Sequence, residues 1–273
     1  MAYKHWSLDD LPWDQIDPHL VDLDTLQIIK AAALVEYNAG DYGAYLENVF
    51  AGDAIFIDAV QTWVKEEVQH GAALGKWAGI VDPAFRLEEA FALFRQHYRV
   101  NINATQSLRG SRCGELVARC MVETGTSSYY TAIADRAACP VLKRICQHIA
   151  ADEHRHYKLF YDHLKRYLAQ DRLGRFSRLR IALGRIAETE DDELAYAFWA
   201  ANSAHQPYDQ GTAIRAYSRR AYSFYQRRHV ERGVAMIFKA CGFNGQSWIF
   251  KGASRIAWWM LDRRVKRLAQ AAA

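Results

Sequence analysis

The sequence predicts an all-α protein: a four-helix bundle with one long crossover, followed by additional C-terminal helices, in a single domain spanning 1–273. Three observations lead there. Long tracts carry apolar residues three and four apart, as in "LQIIKAAALVEYNAGDYGAYLENVF" and "AIFIDAVQTWVKEEVQHGAALGKWAGI", the period of a helix with one buried face. Only five prolines interrupt 273 residues, and no alternating apolar and polar run marks a strand. Turn signals split the first 170 residues into two pairs of long tracts with a shorter one between them.

The elements follow in order. Helices are expected over about 24–50 and 53–80, turning at Gly52; so short a connection makes them antiparallel neighbours. After "VDP" a shorter amphipathic helix over about 85–100 leads through "NINATQSLRGS" to a second long pair, about 112–136 and 139–170, divided at "ACP". Pro140 suits the first turn of the last helix, where its missing N–H costs nothing. The core bundle therefore occupies about 24–170. From 171 to 273 the chain reads as more helix, interrupted near Pro207, with further helices over 211–240 and 246–268.

Composition narrows the class. Apolar residues make up 51% and charged residues 24%, close to a soluble globular average, which excludes disordered and collagen-like chains. No run of 18 uncharged apolar residues occurs, and "MAYKHWSLDD" has no apolar signal-peptide core; a cytoplasmic protein is expected. The five cysteines include no C-x-x-C pair, against both a disulfide framework and a thiolate zinc site, and are expected as buried small residues. Residues 1–164 carry 15 Lys/Arg against 22 Asp/Glu, and residues 165–273 carry 20 against 9. Such a basic C-terminal third attracts acidic proteins, anionic lipid or nucleic acid. No nucleic-acid recognition motif accompanies the charge, so nucleic acid is not expected as a partner.

One pattern carries chemistry. "EEVQH" contains Glu67-x-x-His70, and "AADEHRHYKLF" contains Glu153-x-x-His156. Residues three apart on a helix lie about 60° apart around its axis, so each Glu and His pair projects from one face. Glu36 and Glu123 stand on tracts otherwise short of charge, 31 and 30 residues before Glu67 and Glu153. The halves superimpose: Glu123 follows Glu36 by 87 positions, while Glu153 and His156 follow Glu67 and His70 by 86. Two Glu-x-x-His pairs plus one glutamate from each other helix is the donor set of a di-metal bundle site. Four carboxylates offset the four positive charges of two ferrous ions, and neutral imidazoles suit iron; a manganese and iron pair fits the same set. Without metal, four glutamates aimed into a core would be prohibitively costly. His154 lies about 100° from Glu153 and is not expected as a ligand. Asp152 is placed to accept a hydrogen bond from the distal nitrogen of His70, and serves equally well as a surface aspartate.

In these residues the chain resembles the soluble acyl-acyl-carrier-protein desaturases (fatty acid desaturase type 2) of the ferritin-like di-iron superfamily. "ICQHIAADEHRH" is similar to that family's fourth-helix signature at Asp152, Glu153, Arg155 and His156, and "TWVKEEVQHG" to its second-helix signature at Glu66, Glu67, His70 and Gly71, with Trp63 one turn earlier. "VETGT" places Thr126 three residues after Glu123, where the family has a threonine. "LPWDQIDP" around Trp13 and "AHQPYDQG" at 204–211 are weaker echoes. The chain is short for the family, and Val68-Gln69 replaces a more polar pair.

The resemblance implies a ferritin-like bundle with Glu36, Glu67, His70, Glu123, Glu153 and His156 as ligands of two iron ions. It implies O2 as co-substrate, an external electron donor of the ferredoxin type, and an acyl chain presented on acyl carrier protein. Thr126 would position oxygen or deliver a proton; a hydroxyl bonded only to its own helix is the alternative. Trp13 and Asp152 would form an electron path through His70. A di-iron monooxygenase, N-oxygenase or aldehyde-deformylating oxygenase shares the ligand set, as does an iron-storing or peroxide-handling ferritin or rubrerythrin relative. The basic C-terminal third fits docking of acidic carrier and reductant. "WIFKGASRIAWWMLDRRVKRL" also has the tryptophan and Arg/Lys mix of an interfacial helix, so peripheral membrane contact is a second reading; a solvated helix capping the bundle is the third. A homodimer is compatible with all of these.

Overall fold

The computed structural model describes residues 5–188, 192–245 and 247–270, and among them there is no strand. Three short 3-10 turns, Leu8–Asp10, Trp13–Gln15 and Pro18–Leu20, lead into α1 (Leu23–Tyr37), α2 (Ala39–Val49) and α3 (Ala54–Val81). A crossover carrying α4 (Leu87–His97) reaches α5 (Arg112–Arg136) and α6 (Pro140–Leu168). The chain continues through α7 (Arg175–Ala187), α8 (Asp192–Asn202), α9 (Gln210–Ser223), α10 (Arg227–Cys241) and α11 (Trp248–Gln270). The architecture is the all-α ferritin-like bundle: α1 packs on α3, α5 on α6, and α3 on α6. Helices α8 and α9 cover α1, whereas α7 and α10 cover α5.

Local chemistry sets the helix ends. Asp22, Asp53 and Ser111 each accept a backbone N–H three residues on, at 2.8, 3.2 and 3.0 Å, satisfying donors the first turn leaves orphaned. Pro140 begins α6 at its first position. Two expected helices are broken. The tract 24–50 divides at Asn38, next to the place where α3 crowds α1: a Cβ on Gly71 would lie 2.5 Å from the backbone nitrogen of Tyr37. The tract 211–240 divides between Ser223 and Arg227. There the His229 Nδ1 accepts the Gln226 N–H at 3.0 Å while its Nε2 donates to Asp135 of α5 at 2.8 Å, pinning a fresh helix start to the bundle. Of the expected helices beyond 170, residues 189–191 and 246 lie outside the described residues.

Two apolar cores sandwich one polar layer. Ile28 and Leu34 of α1, Leu74 and Trp77 of α3, Ile133 of α5 and Ile145 of α6 belong to the first core. Phe50, Phe56, Trp63, Leu116, Cys120, Phe160 and Leu164 belong to the second. On α3, α5 and α6 the boundary between them falls at the predicted donors, Glu67 with His70, Glu123, and Glu153 with His156, while Glu36 stands at the end of α1, whose buried apolar residues all belong to the first core. All five cysteines are free and buried. No helix among the described residues is long and apolar enough to cross a membrane.

Candidate metal centre

The six residues converge. His70 and Glu153 are fully buried, and none of the six is more than 7% exposed. Their donor atoms form two overlapping sets, Glu36, Glu67, His70 and Glu153, and Glu67, Glu123, Glu153 and His156, each within 4.8 Å. Glu67 and Glu153 belong to both sets; Glu36 and His70 belong to one, Glu123 and His156 to the other. The His70 Nδ1 lies 3.3 Å from Glu153, 3.5 Å from Glu67 and 3.8 Å from Glu36. The His156 Nδ1 lies 3.0 Å from Glu67, 3.7 Å from Glu123 and 3.9 Å from Glu153.

Both imidazoles are held from behind. The His70 Nε2 sits 3.0 Å from Asp152, and the His156 Nε2 sits 2.7 Å from Glu66. An ionised carboxylate can only accept, so each Nε2–H donates and each Nδ1 is turned toward the cluster. The arrangement is reciprocal: Asp152, the residue before Glu153 on α6, orients the histidine of α3, and Glu66, the residue before Glu67 on α3, orients the histidine of α6. Arg155 joins the two supports, bonding Asp152 through one guanidinium nitrogen and Glu66 through the other at 3.1 Å. Burial alone would raise Asp152, but the hydrogen bond from His70, with those from Arg155 and Trp6, holds its carboxyl down at about 2.

The electrostatics inside the layer are those of a site built for a cation. Burial, then the charge of Glu67, pushes Glu36 up to about 8. Glu123 and Glu153 are likewise raised by burial and then by Glu67. Glu67 alone of the four is lowered: the closeness of Glu36, His156 and His70 overcomes the cost of burying it. Four buried atoms turned toward this space, His70 Nδ1, His156 Nδ1, Glu123 Oε2 and Glu153 Oε1, have no hydrogen-bond partner. Buried donors and acceptors are ordinarily satisfied, and carboxylate oxygens with imidazole nitrogens are the donors a hard or borderline metal takes. The residues fit a metal ion.

The remaining expected residues divide. Thr126 bonds in both directions considered from sequence: its hydroxyl reaches the Val122 and Glu123 carbonyls at 3.2 and 3.3 Å and the Glu153 carboxylate at 2.5 Å. Trp63 is buried with its ring edge-on to His156, centroids 6.5 Å apart. His154 lies away from the cluster beside Arg232, and burial together with that arginine holds its imidazole down at about 4. Trp13 corrects the expectation. Its indole N–H donates to the Leu8 carbonyl at 2.7 Å and its ring lies under Lys76. The indole that bonds Asp152 is that of Trp6, at 2.8 Å, with its ring parallel to His70. The irregular turns at 8–20 decide this, and no periodicity registers them.

Three further residues, given no role from sequence, stand at the site. Glu66 could have been found, because it stands 86 positions before Asp152. Arg119, one turn before Glu123, is buried against the rings of Trp63, Tyr42 and Phe160 and donates to Glu123 at 3.2 Å. Tyr130 donates to Glu36 at 2.6 Å; its place seven residues after Glu123, on the same face of α5, is a weak signal.

An apolar cavity of about 250 Å³ opens beside the cluster, lined among others by Met121, Gly125, Tyr129, Leu194 and Tyr217. Val35, Val122, Thr126, Arg185 and Glu193 are shared between it and a recess of about 60 Å³ that touches Glu36, Glu67, Glu123 and Glu153. Compared with known proteins, the chain matches no family model and no curated protein.

Proposed function

We propose that this chain is an oxygen-dependent di-iron oxidoreductase that desaturates a long acyl chain. The observation that carries the reading is the contact between the apolar cavity and the carboxylate layer at Thr126. A site that only stores iron or consumes peroxide has no use for an apolar chamber of that size at its donors, whereas a substrate alkyl chain needs one.

Two iron ions would be held by Glu36, Glu67, His70, Glu123, Glu153 and His156, with Glu67 and Glu153 common to both donor sets. Iron bound there supplies oxygen activation, the chemistry side chains lack. The chain's own residues do the rest. Thr126, bonded to Glu153 on the cavity side, holds a movable proton where substrate and metal sites meet. Tyr129, Tyr217 and Leu194 line the chamber and keep water from it. Trp6, Asp152 and His70 form a continuous chain of contacts for electrons from an external donor of the ferredoxin type. The acyl chain is taken to arrive on acyl carrier protein, whose acidic surface would complement the basic C-terminal third.

The test is reconstitution with ferrous iron, reduction, addition of O2 with long-chain acyl carrier protein, and mass analysis of the product. A loss of two mass units in the acyl chain is expected. A hydroxylated chain, or a hydrocarbon one carbon shorter, would replace desaturation by a related oxygenation. Peroxide turnover with no organic product would remove the substrate claim altogether.

A further inference from the structure

Helix α11 buries one face and leaves an apolar face uncovered. Its inner side packs on α10 and α9, with Ser254 buried and Phe250 edge-on to Phe238, centroids 5.6 Å apart. Outside, Trp248 is 81% exposed, and Ile249, Ile256, Trp259 and Met260 are each more than half exposed. At about 100° per residue, these five fall within an arc of about 120°. Scattered exposed apolar residues need no explanation, but five large ones on one face of one helix mark a binding surface.

The surrounding charge says what covers it. Lys251 and Arg255 border one edge of the arc, and Arg263, Arg264, Lys266 and Arg267, all exposed, occupy the last turns. Arg263 stacks over Trp259, 5.2 Å from the ring centroid. The helix holds one acid, Asp262, which is paired with Lys266 at 2.6 Å. An acidic protein would match the cations but not a row of bare tryptophan, isoleucine and methionine. A second copy of this helix would match the apolar residues but set its arginines against each other. A surface with an acyl layer beneath anionic headgroups satisfies both halves at once, with tryptophan at the boundary between them. Phe176 of α7 is a further exposed apolar side chain, 81% exposed and edge-on to Phe243.

We infer that α11 is an interfacial helix that seats this protein on an anionic lipid bilayer, burying Trp248, Ile249, Ile256, Trp259 and Met260 among the acyl chains while its arginines and lysines face the headgroups. Charge draws the protein to the surface, and the apolar arc holds it there. This goes beyond the proposed reaction and does not depend on it, because the docking surface lies outside the carboxylate layer.

The experiment is co-sedimentation of the full chain with vesicles of equimolar phosphatidylcholine and phosphatidylglycerol, against vesicles of phosphatidylcholine alone. Binding to the anionic vesicles at least tenfold stronger is expected, weakened by 0.5 M salt. Trp248→Ala with Trp259→Ala should lower it at least tenfold with melting temperature unchanged, and Arg263→Gln with Arg267→Gln should lower it with reduced salt dependence. Bromine-labelled lipid should quench fluorescence in the native protein more than in the double tryptophan variant. Equal partitioning to both vesicles, no partitioning, or native binding by the tryptophan variant would overturn the inference. So would a dimer in solution that Trp259→Ala splits. Neither result bears on iron binding, which is measured without lipid.

Discussion

The imidazole of His70 on α3 is held by the carboxylate of Asp152 on α6, Nε2 to Oδ2 at 3.0 Å, and Asp152 is at once bonded by Trp6 and Arg155. A carboxylate in that position fixes both the ring's rotation and which nitrogen faces inward, so it acts on the metal without touching it. Asp152→Asn is therefore expected to weaken metal affinity by roughly 10–100-fold while leaving the helical fold intact. Glu66→Gln should do the same through His156. Titration with ferrous or cobaltous ion checks both, and unchanged affinity in both variants would deny the carboxylates their orienting role.

Glu67 and Glu153 are shared by both donor sets, whereas Glu36 and Glu123 are not. Glu153→Ala should abolish binding of the metal pair, and Glu36→Ala should weaken one position more than the other. Metal content after gel filtration distinguishes these cases. Full metal content in Glu153→Ala would refute the ligand assignment.

Gly71 and Gly125 predict opposite outcomes for the same substitution. Gly71→Ala drives a Cβ to 2.5 Å from the backbone of Tyr37, and forcing α1 from α3 is expected to cost about 1–3 kcal/mol. At Gly125, on the cavity wall, an added Cβ meets nothing within 4 Å. A mid-helix glycine is about 1 kcal/mol worse than alanine, so Gly125→Ala should leave stability equal or higher while narrowing the chamber. Denaturant midpoints check the first statement, and binding of an alkyl probe checks the second.

Asp53 contributes to the acid limb of stability. It caps α3 and is bonded by Arg166 and by Tyr167 at 2.6 Å. Burial opposes ionisation, but these hydrogen bonds hold its carboxyl at about 2, against 3.8 ordinarily. A depressed folded value means the contribution is present above about pH 4 and is lost as pH falls toward 2. Asp53→Asn, which keeps a capping oxygen, should cost about 1 kcal/mol at neutral pH. The gap in melting temperature from the native protein should close between pH 4 and pH 2; a gap that stays constant would assign the loss to packing.

Much of the site was legible because a helix converts spacing into direction. Glu-x-x-His twice, with isolated glutamates about 30 residues earlier, is a periodic signal, and four helices of one bundle leave such residues few places to point other than at each other. The helix over 112–136 was likewise readable to the residue, since Ser111 and the "ACP" turn punctuate both ends. The break at Asn38 was not. It falls where a glycine of another helix comes into contact, and nothing within 24–50 records that neighbour.

By itself the sequence determined the all-α class, the four core helices and the six converging donors, because local periodicity and capping govern all three. Tertiary structure alone decided which partners close around them. It selected Trp6 over Trp13 for Asp152, crossed Glu66 to His156, set Arg119 and Tyr130 against the glutamates, and opened the chamber beside Thr126. Arg119 stands one helical turn before Glu123 and Glu66 repeats Asp152 at the 86-residue offset, but the other contacts join segments whose separation along the chain carries no period, so packing in three dimensions chose among the candidates.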